Sequence, residues 1–198
     1  MRASEWKRAS HSLEKALPGF EPMKFGYVST IRNRWIAECI FADSSAFSAA
    51  RFHLEAFVLP LFIPTTHLYF SYGFRIGTYW EDVSTTLIRA VVDSVPRLHE
   101  MTDLRRLIEA AVNWKINAHH LELRIAGAVI LDDHQLMSES RLVLSDWKCT
   151  VAWEEEVVRR CNDLLGVIDE AGVQSAIFEL ERRRGKVLGI LARDRCGS

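Results

Sequence analysis

The sequence lacks every short motif that identifies a metal, redox or nucleotide site by itself. It has no C-x-x-C pair, no H-E-x-x-H and no G-x-x-x-x-G-K-[ST], the patterns of zinc or thiol centres, metalloproteases and phosphate loops. Gly73 and Gly77 bracket three residues without the lysine and hydroxyl of a phosphate loop. We therefore expect no metal and no cofactor, and we assign no catalytic residue.

Closely spaced cysteine pairs are also missing. Cys39, Cys149, Cys161 and Cys196 are scattered along the chain, which is typical of free thiols in a reducing compartment. The first fifteen residues lack the apolar core of a secretory signal. Together these features predict a cytoplasmic protein.

Neither sign of charge prevails, because 25 basic and 26 acidic side chains give a formal net charge of -1. This balance favours neither nucleic acid nor an anionic membrane as a partner of the whole chain. The longest apolar stretch is interrupted by Pro60 and Pro64 and is far shorter than the roughly 20 residues that span a bilayer. With 198 residues, 48% of them hydrophobic, the chain can bury a sizeable core, and no membrane partner is expected.

The stretch Arg51–Gly77 is the densest in aromatic and β-branched residues. From Phe52 to Val58 its side chains alternate with the period of two of a strand. The run is then continuously apolar, and Pro60 indicates an edge, a bulge or the strand's end. A further strand is predicted over 68–72, followed by a bend between Gly73 and Gly77.

A helix over residues 4–17 and strands over 24–31 and 35–41 are predicted before this stretch. Four sequential strands with short links indicate an antiparallel meander. Apolar stripes at helical spacing predict the helices that follow. The first of these helices covers 79–95 and is ended by Pro96, and the second is capped by Thr102. Four more helices are predicted over 119–131, 133–147, 151–168 and 171–192. The pattern over 119–131 also fits a strand.

The expected fold class is therefore α+β. An N-terminal helix and a four-stranded antiparallel sheet precede a C-terminal helical bundle. No linker rich in proline, glycine or serine separates the β-rich front, residues 1–78, from the helical back, residues 79–198. We expect a single domain over 1–198.

His53 and Glu55 share a predicted strand face, and His67 lies on the adjoining strand. A histidine beside a carboxylate can act as a base and its orienting group. One hypothesis is therefore a small-molecule enzyme that uses this face. The structural alternative, a solvated polar face of a half-covered sheet, is favoured because no nucleophile accompanies the three residues.

Metal-capable side chains gather between residues 119 and 134. Their spacing matches no metal motif, so positions in loops and helix caps are the favoured interpretation over a metal site. The residues are His119, His120, Glu122, Asp132, Asp133 and His134.

The strongest basic run lies near the C-terminus and could neutralise phosphates. Its residues are Arg182, Arg183, Arg184, Lys186 and Arg193. Glu179 and Glu181 precede it, and arginines near a helix C-terminus also complement the helix dipole. A solvated helix face is therefore the favoured interpretation, and a nucleic-acid-associated factor is an alternative function.

Six tryptophans fall mostly on apolar stripes, so core packing accounts for them. One or two at the surface would indicate an interface, since tryptophan is enriched at binding hot spots. They are Trp6, Trp35, Trp80, Trp114, Trp147 and Trp153.

Three segments together resemble small bacterial domains of unknown function. They are L-E-K-A-L-P-G-F (Leu13 to Phe20), F-x-x-x-x-F-V-L-P-L-F-I-P (Phe52 to Pro64) and G-x-R (Gly73 to Arg75). Some of these domains resemble accessory or immunity proteins of toxin and phage-defence loci. The resemblance covers roughly the first 80 residues as an element pattern, and it implies a helix, a β-meander and a helical tail without a catalytic motif.

The leading functional expectation is a non-catalytic protein that binds another protein chain. It would be a small subunit or an accessory component of a larger bacterial complex, in a hetero-complex or a homo-oligomer. The motivation is a large apolar and aromatic inventory without a recognisable chemical site.

Overall fold

The computed structural model describes residues 11–24, 26–44, 51–64, 72–112 and 117–196. The chain folds into two compact units. The described parts of 1–61, 65–103 and 188–198 form unit 1, and those of 62–64 and 104–187 form unit 2. The organisation as a single domain stays a prediction.

Unit 1 contains an antiparallel sheet whose strands pair in chain order, so the predicted meander and the α+β class are confirmed. Within the described residues the sheet has five strands rather than four. Residues 11–16 form a helix, α1, which ends before Pro18 and Gly19 as expected, and residues 1–10 lie outside the described part. The strands are β1 (Glu21–Met23), β2 (Gly26–Ser29), β3 (Ile36–Ser44), β4 (Phe52–Pro60) and β5 (Gly73–Trp80).

The predicted bend between Gly73 and Gly77 and the helix start at residue 79 are both wrong. These residues form β5, which pairs with β4 up to Trp80 opposite Phe52. Gly77 takes a φ of 72°, close to the place where the register between the two strands shifts, and a strand irregularity explains the glycine. The predicted strand over 68–72 falls almost entirely outside the described residues.

Helix α2 (Thr85–Glu100) packs on β4 and β5 and buries Leu87, Val91 and Leu98. It begins where the Ser84 side chain accepts a hydrogen bond from the Leu87 amide. The predicted end at Pro96 is wrong, because this proline is exposed within the helix, where water can bond the carbonyl that it leaves free.

Unit 2 is helical, and its helices bear out the apolar stripes read from the sequence. The prediction that Thr102 caps the first of them is wrong, because α3 begins at Leu104 and Asp103 directly precedes it. The Thr102 hydroxyl instead donates to the His99 carbonyl. Almost every residue of α4 is buried, which explains why its pattern fitted both a helix and a strand. The helices are α3 (Leu104–Val112), α4 (Ala118–Leu131), α5 (His134–Ser145) and α6 (Ala152–Cys196), which continues beyond unit 2.

A break interrupts α6 at Gly172, whose φ of 82° and ψ of 171° are not helical. The sequence predicted two helices, over 151–168 and 171–192, and the break falls at the start of the second. Only glycine adopts this backbone region readily, so this residue sets the position of the break.

Candidate functional site

His53 and Glu55 lie on β4 as expected, but the structure gives each a separate polar partner. The Nδ1 atom of His53 is 2.6 Å from the Thr78 carbonyl. Glu55 accepts a 2.8 Å hydrogen bond from Arg75 on β5. His67 lies outside the described residues. The two described side chains therefore form no base-and-orienter pair, and an enzyme that uses this face stays a hypothesis.

The metal-capable side chains between residues 119 and 134 have structural roles. Asp133 caps α5 by accepting from the Leu136 amide, and Asp132 ends α4 in a left-handed conformation, so the predicted cap positions are confirmed for these two residues. For His119, His120 and Glu122 the prediction of loop or cap positions is wrong, because all three lie inside α4. The Leu136 amide and Arg105 hold the pKa of Asp133 below its usual range. Among the described residues no three His, Cys, Asp or Glu side chains form a group that could hold a metal ion.

Glu122 instead joins a buried ion network within unit 2. Arg160 holds both of its carboxylate oxygens, at 2.8 and 2.7 Å. Arg183 lies 3.6 Å from the same carboxylate and donates to Glu179 at 3.1 Å. Hydrogen bonding to Glu122 raises the pKa of Arg160 despite its partial burial. These charges pair with one another inside unit 2, which is the pattern of a structural ion cluster.

The basic run near the C-terminus is largely neutralised. Arg182 is exposed but makes two hydrogen bonds to Glu179, and Arg184 pairs with Glu181 at 3.6 Å. Arg183 is buried, so its assignment as a nucleic-acid contact is wrong. The nucleic-acid hypothesis now rests on the exposed side chains of Arg182, Lys186 and Arg193.

The described cysteines differ sharply in environment. Burial raises the pKa of Cys39 far above the usual range of a thiol, and burial together with the Glu122 charge raises that of Cys161 to about 12. Cys149 is exposed. Its pKa is raised by partial desolvation and by the nearby Glu154 and Glu155 charges.

At neutral pH we expect iodoacetamide to modify Cys149 and to leave Cys39 and Cys161 unmodified in the native protein. The thiolate is the nucleophile, so the raised pKa of Cys149 means that its labelling rate keeps increasing above the pH at which an ordinary thiol levels off. Peptide mapping after a pulse at several pH values measures both effects. Labelling of Cys161 at the rate of Cys149 would contradict the buried position.

A histidine–glutamate pair that the sequence did not reveal lies in unit 1. Glu38 on β3 is 1% exposed, and its Oε1 atom is 2.5 Å from Nδ1 of His99 on α2. Both residues line a cavity of about 400 Å³ together with Ser29 and Arg32. The available signal was Glu38 itself, a charge inside the apolar strand W-I-A-E-C-I-F, whereas nothing local pointed to a partner 61 residues away.

One tryptophan meets the criterion for an interface. Of the tryptophans whose side chains are described, Trp153 is exposed, at 47%, while Trp35, Trp80 and Trp147 are partly covered. Val151 beside it is 45% exposed. We call these two residues the Trp153 surface.

The Trp153 surface is held rigidly. The Trp153 ring stacks on His119, with centroids 4.9 Å apart and planes 8° from parallel. Before α6, the Thr150 amide and hydroxyl donate to Glu154 at 2.6 and 3.0 Å. These bonds lower the pKa of Glu154, and they fix the turn that displays the two apolar side chains.

The fold defines an α+β protein with an antiparallel meander and a helical second unit. Comparisons with family models, curated proteins and solved structures each return no match. Within the described residues no helix combines the length and apolar character needed to cross a membrane.

Proposed function

We propose that this chain is a non-catalytic binding protein whose Trp153 surface docks on another protein. The observation that carries the proposal is a half-exposed tryptophan fixed by the His119 ring. A rigid aromatic side chain contributes a large apolar area at a small entropic cost on binding, which is why tryptophan dominates interface hot spots.

The charges beside this surface favour a protein over a nucleic acid. Glu154, Glu155 and Glu156 follow Trp153 directly, and Glu155 and Glu156 are exposed. Phosphates would be repelled by these carboxylates, whereas basic side chains around an apolar pocket would be attracted. The expected partner is thus a protein with an apolar pocket for the Trp153 ring and a basic rim.

We expect Trp153→Ala to weaken binding of the partner by about 30-fold or more, the loss typical of a hot-spot tryptophan. The partner is first captured by photo-crosslinking from position 151 in the native host, in parallel samples with and without nuclease, and identified by mass spectrometry. Affinity is then measured between purified proteins. Phe178→Ala is the matched control, because it removes another exposed aromatic side chain of unit 2.

An unchanged affinity for Trp153→Ala would refute the assignment of the surface. Loss of all partners on nuclease treatment would instead support the nucleic-acid alternative. That result is checked by replacing the exposed Arg182, Lys186 and Arg193 with glutamate.

A further inference from the structure

We propose that the cavity of unit 1 lined by Ser29, Arg32, Glu38 and His99 binds a small organic oxyanion, a carboxylate or a phosphate monoester with an apolar body. This anion site shares no residue with the Trp153 surface and is inferred independently of it.

Glu38 is the buried acidic residue of the anion site, and the polar groups of the site are arranged around its carboxylate. His99 contacts its Oε1 atom, and the Arg32 Nε lies 3.9 Å from that atom. Its Oε2 atom is buried and accepts no hydrogen bond from the part of the chain that the structure describes. When just one oxygen of a buried carboxylate has a hydrogen-bond partner, the carboxylate favours cationic groups and hydrogen-bond donors in its surroundings.

Glu38 also orients the groups that a ligand meets. Because Nδ1 of His99 faces the carboxylate, the opposite nitrogen, Nε2, is directed away from it. Ser29 pairs with Glu38 across β2 and β3 and therefore projects from the same sheet face. Glu38 is thus a positioning residue, and its side chain is almost fully buried.

The side chains that remain accessible favour an anion. Arg32 is 56% exposed, and its contact with Glu38 is too long for a hydrogen bond. Its guanidinium group can bind a planar oxyanion by donating two parallel hydrogen bonds. The His99 ring and the Ser29 hydroxyl add two further polar groups along the same wall.

The loop that carries Arg32 is anchored, so the anion site exists before a ligand arrives. Asn33 donates to the Thr102 carbonyl at the end of α2 and accepts from the Trp35 amide, both at 2.8 Å. Two apolar side chains complete the wall, Phe20 and the 73% exposed Ile31. Fixed polar groups beside an apolar wall, in a cavity of about 400 Å³, fit a small metabolite.

Four probe compounds with one ring and different charges test the ligand class. Benzoate and phenyl phosphate are anions, benzamide is neutral and benzylamine is a cation. We expect the two anions to produce saturable shifts of the Arg32 Nε and His99 ring signals in nitrogen NMR of the full chain. The neutral and cationic compounds should leave those signals in place.

Arg32→Met should weaken binding of the anions by about tenfold or more, the usual consequence of losing a charge-assisted hydrogen bond. Arg34→Met is the matched control, because Arg34 is an exposed arginine two residues away and is not among the cavity-lining residues. Binding of benzylamine in preference to the anions would overturn the proposal. Equal affinity of Arg32→Met and wild type, or no saturable shift with any compound, would do so as well.

Discussion

Glu122→Ala is expected to lower the free energy of unfolding by about 3–5 kcal/mol, the loss typical of breaking a buried ion pair from one side. The Glu122 side chain is 2% exposed, and it faces the guanidinium groups of Arg160 and Arg183, which are 15% and 7% exposed. Without it, Arg183 retains Glu179, while among the described residues Arg160 retains the more distant Glu156 as an ion-pair partner. The expected fall in Tm is about 6–20 °C for a chain of this size.

Urea denaturation and a thermal melt of the two proteins measure this loss. Glu156→Ala is the control, because Glu156 also pairs with Arg160 but is half exposed, and solvent screening makes such a pair weak. We expect Glu156→Ala to lower the free energy of unfolding by only a small fraction of the loss caused by Glu122→Ala. A Glu122→Ala melt within about a degree of wild type would show that the buried arginines find water or another partner.

The stability that Glu122 supplies is conditional on its partners. Replacing Glu122, Arg160 and Arg183 together with leucine or methionine removes the buried charges and keeps their volume. A buried ion network usually adds little over a well-packed apolar cluster. We therefore expect the triple variant to recover most of the stability that Glu122→Ala loses. This comparison separates the penalty of an unpaired charge from the net contribution of the network.

Local sequence patterns predicted the α+β class, the order of the strands and the helices of unit 2, because apolar periodicity reports directly which face is buried. β1 was missed because it is three residues long and contains Pro22, too short for any alternation. β5 was misread because Gly73 and Gly77 resemble a bend until their pairing with β4 is known. In both cases the pairing partner, rather than the strand's own composition, decides the structure.

The candidate sites were predicted less well for a related reason. Glu38 and His99, like Glu122 and Arg160, meet across elements that are distant in sequence. Periodicity assigns a side chain to a face, but the register and the packing of another element decide what it contacts there. Trp153 could be singled out with the other tryptophans, yet its exposure depends on how the turn before α6 is closed by Glu154.

The same substitution, glycine to alanine, is expected to change stability in opposite directions at different positions. At Gly73 an added Cβ would lie 2.5 Å from both the Ala56 carbonyl oxygen and the Phe57 Cβ on β4. These atoms cannot retreat without opening the β4–β5 pairing. We expect Gly73→Ala to lower the free energy of unfolding by about 1–3 kcal/mol or more.

Three glycines of α6 should respond oppositely. An added Cβ at Gly166, Gly185 or Gly189 meets no atom within 4 Å, and all three lie within helical backbone. Each alanine should raise the free energy of unfolding by about 0.5–1 kcal/mol, because the unfolded chain loses conformational freedom. Urea denaturation of the combined variant should show a gain of about 1.5–3 kcal/mol.

Gly172 distinguishes backbone strain from lack of space. Its Cβ position is also open, but its φ of 82° is unfavourable for any L side chain. We expect Gly172→Ala to destabilise by about 1–3 kcal/mol although nothing obstructs the methyl group. Stabilisation by this variant would mean that α6 runs straight through residue 172 in solution. If Gly172→Ala is destabilising while alanine at Gly166, Gly185 and Gly189 is stabilising, the break in α6 is required by the fold.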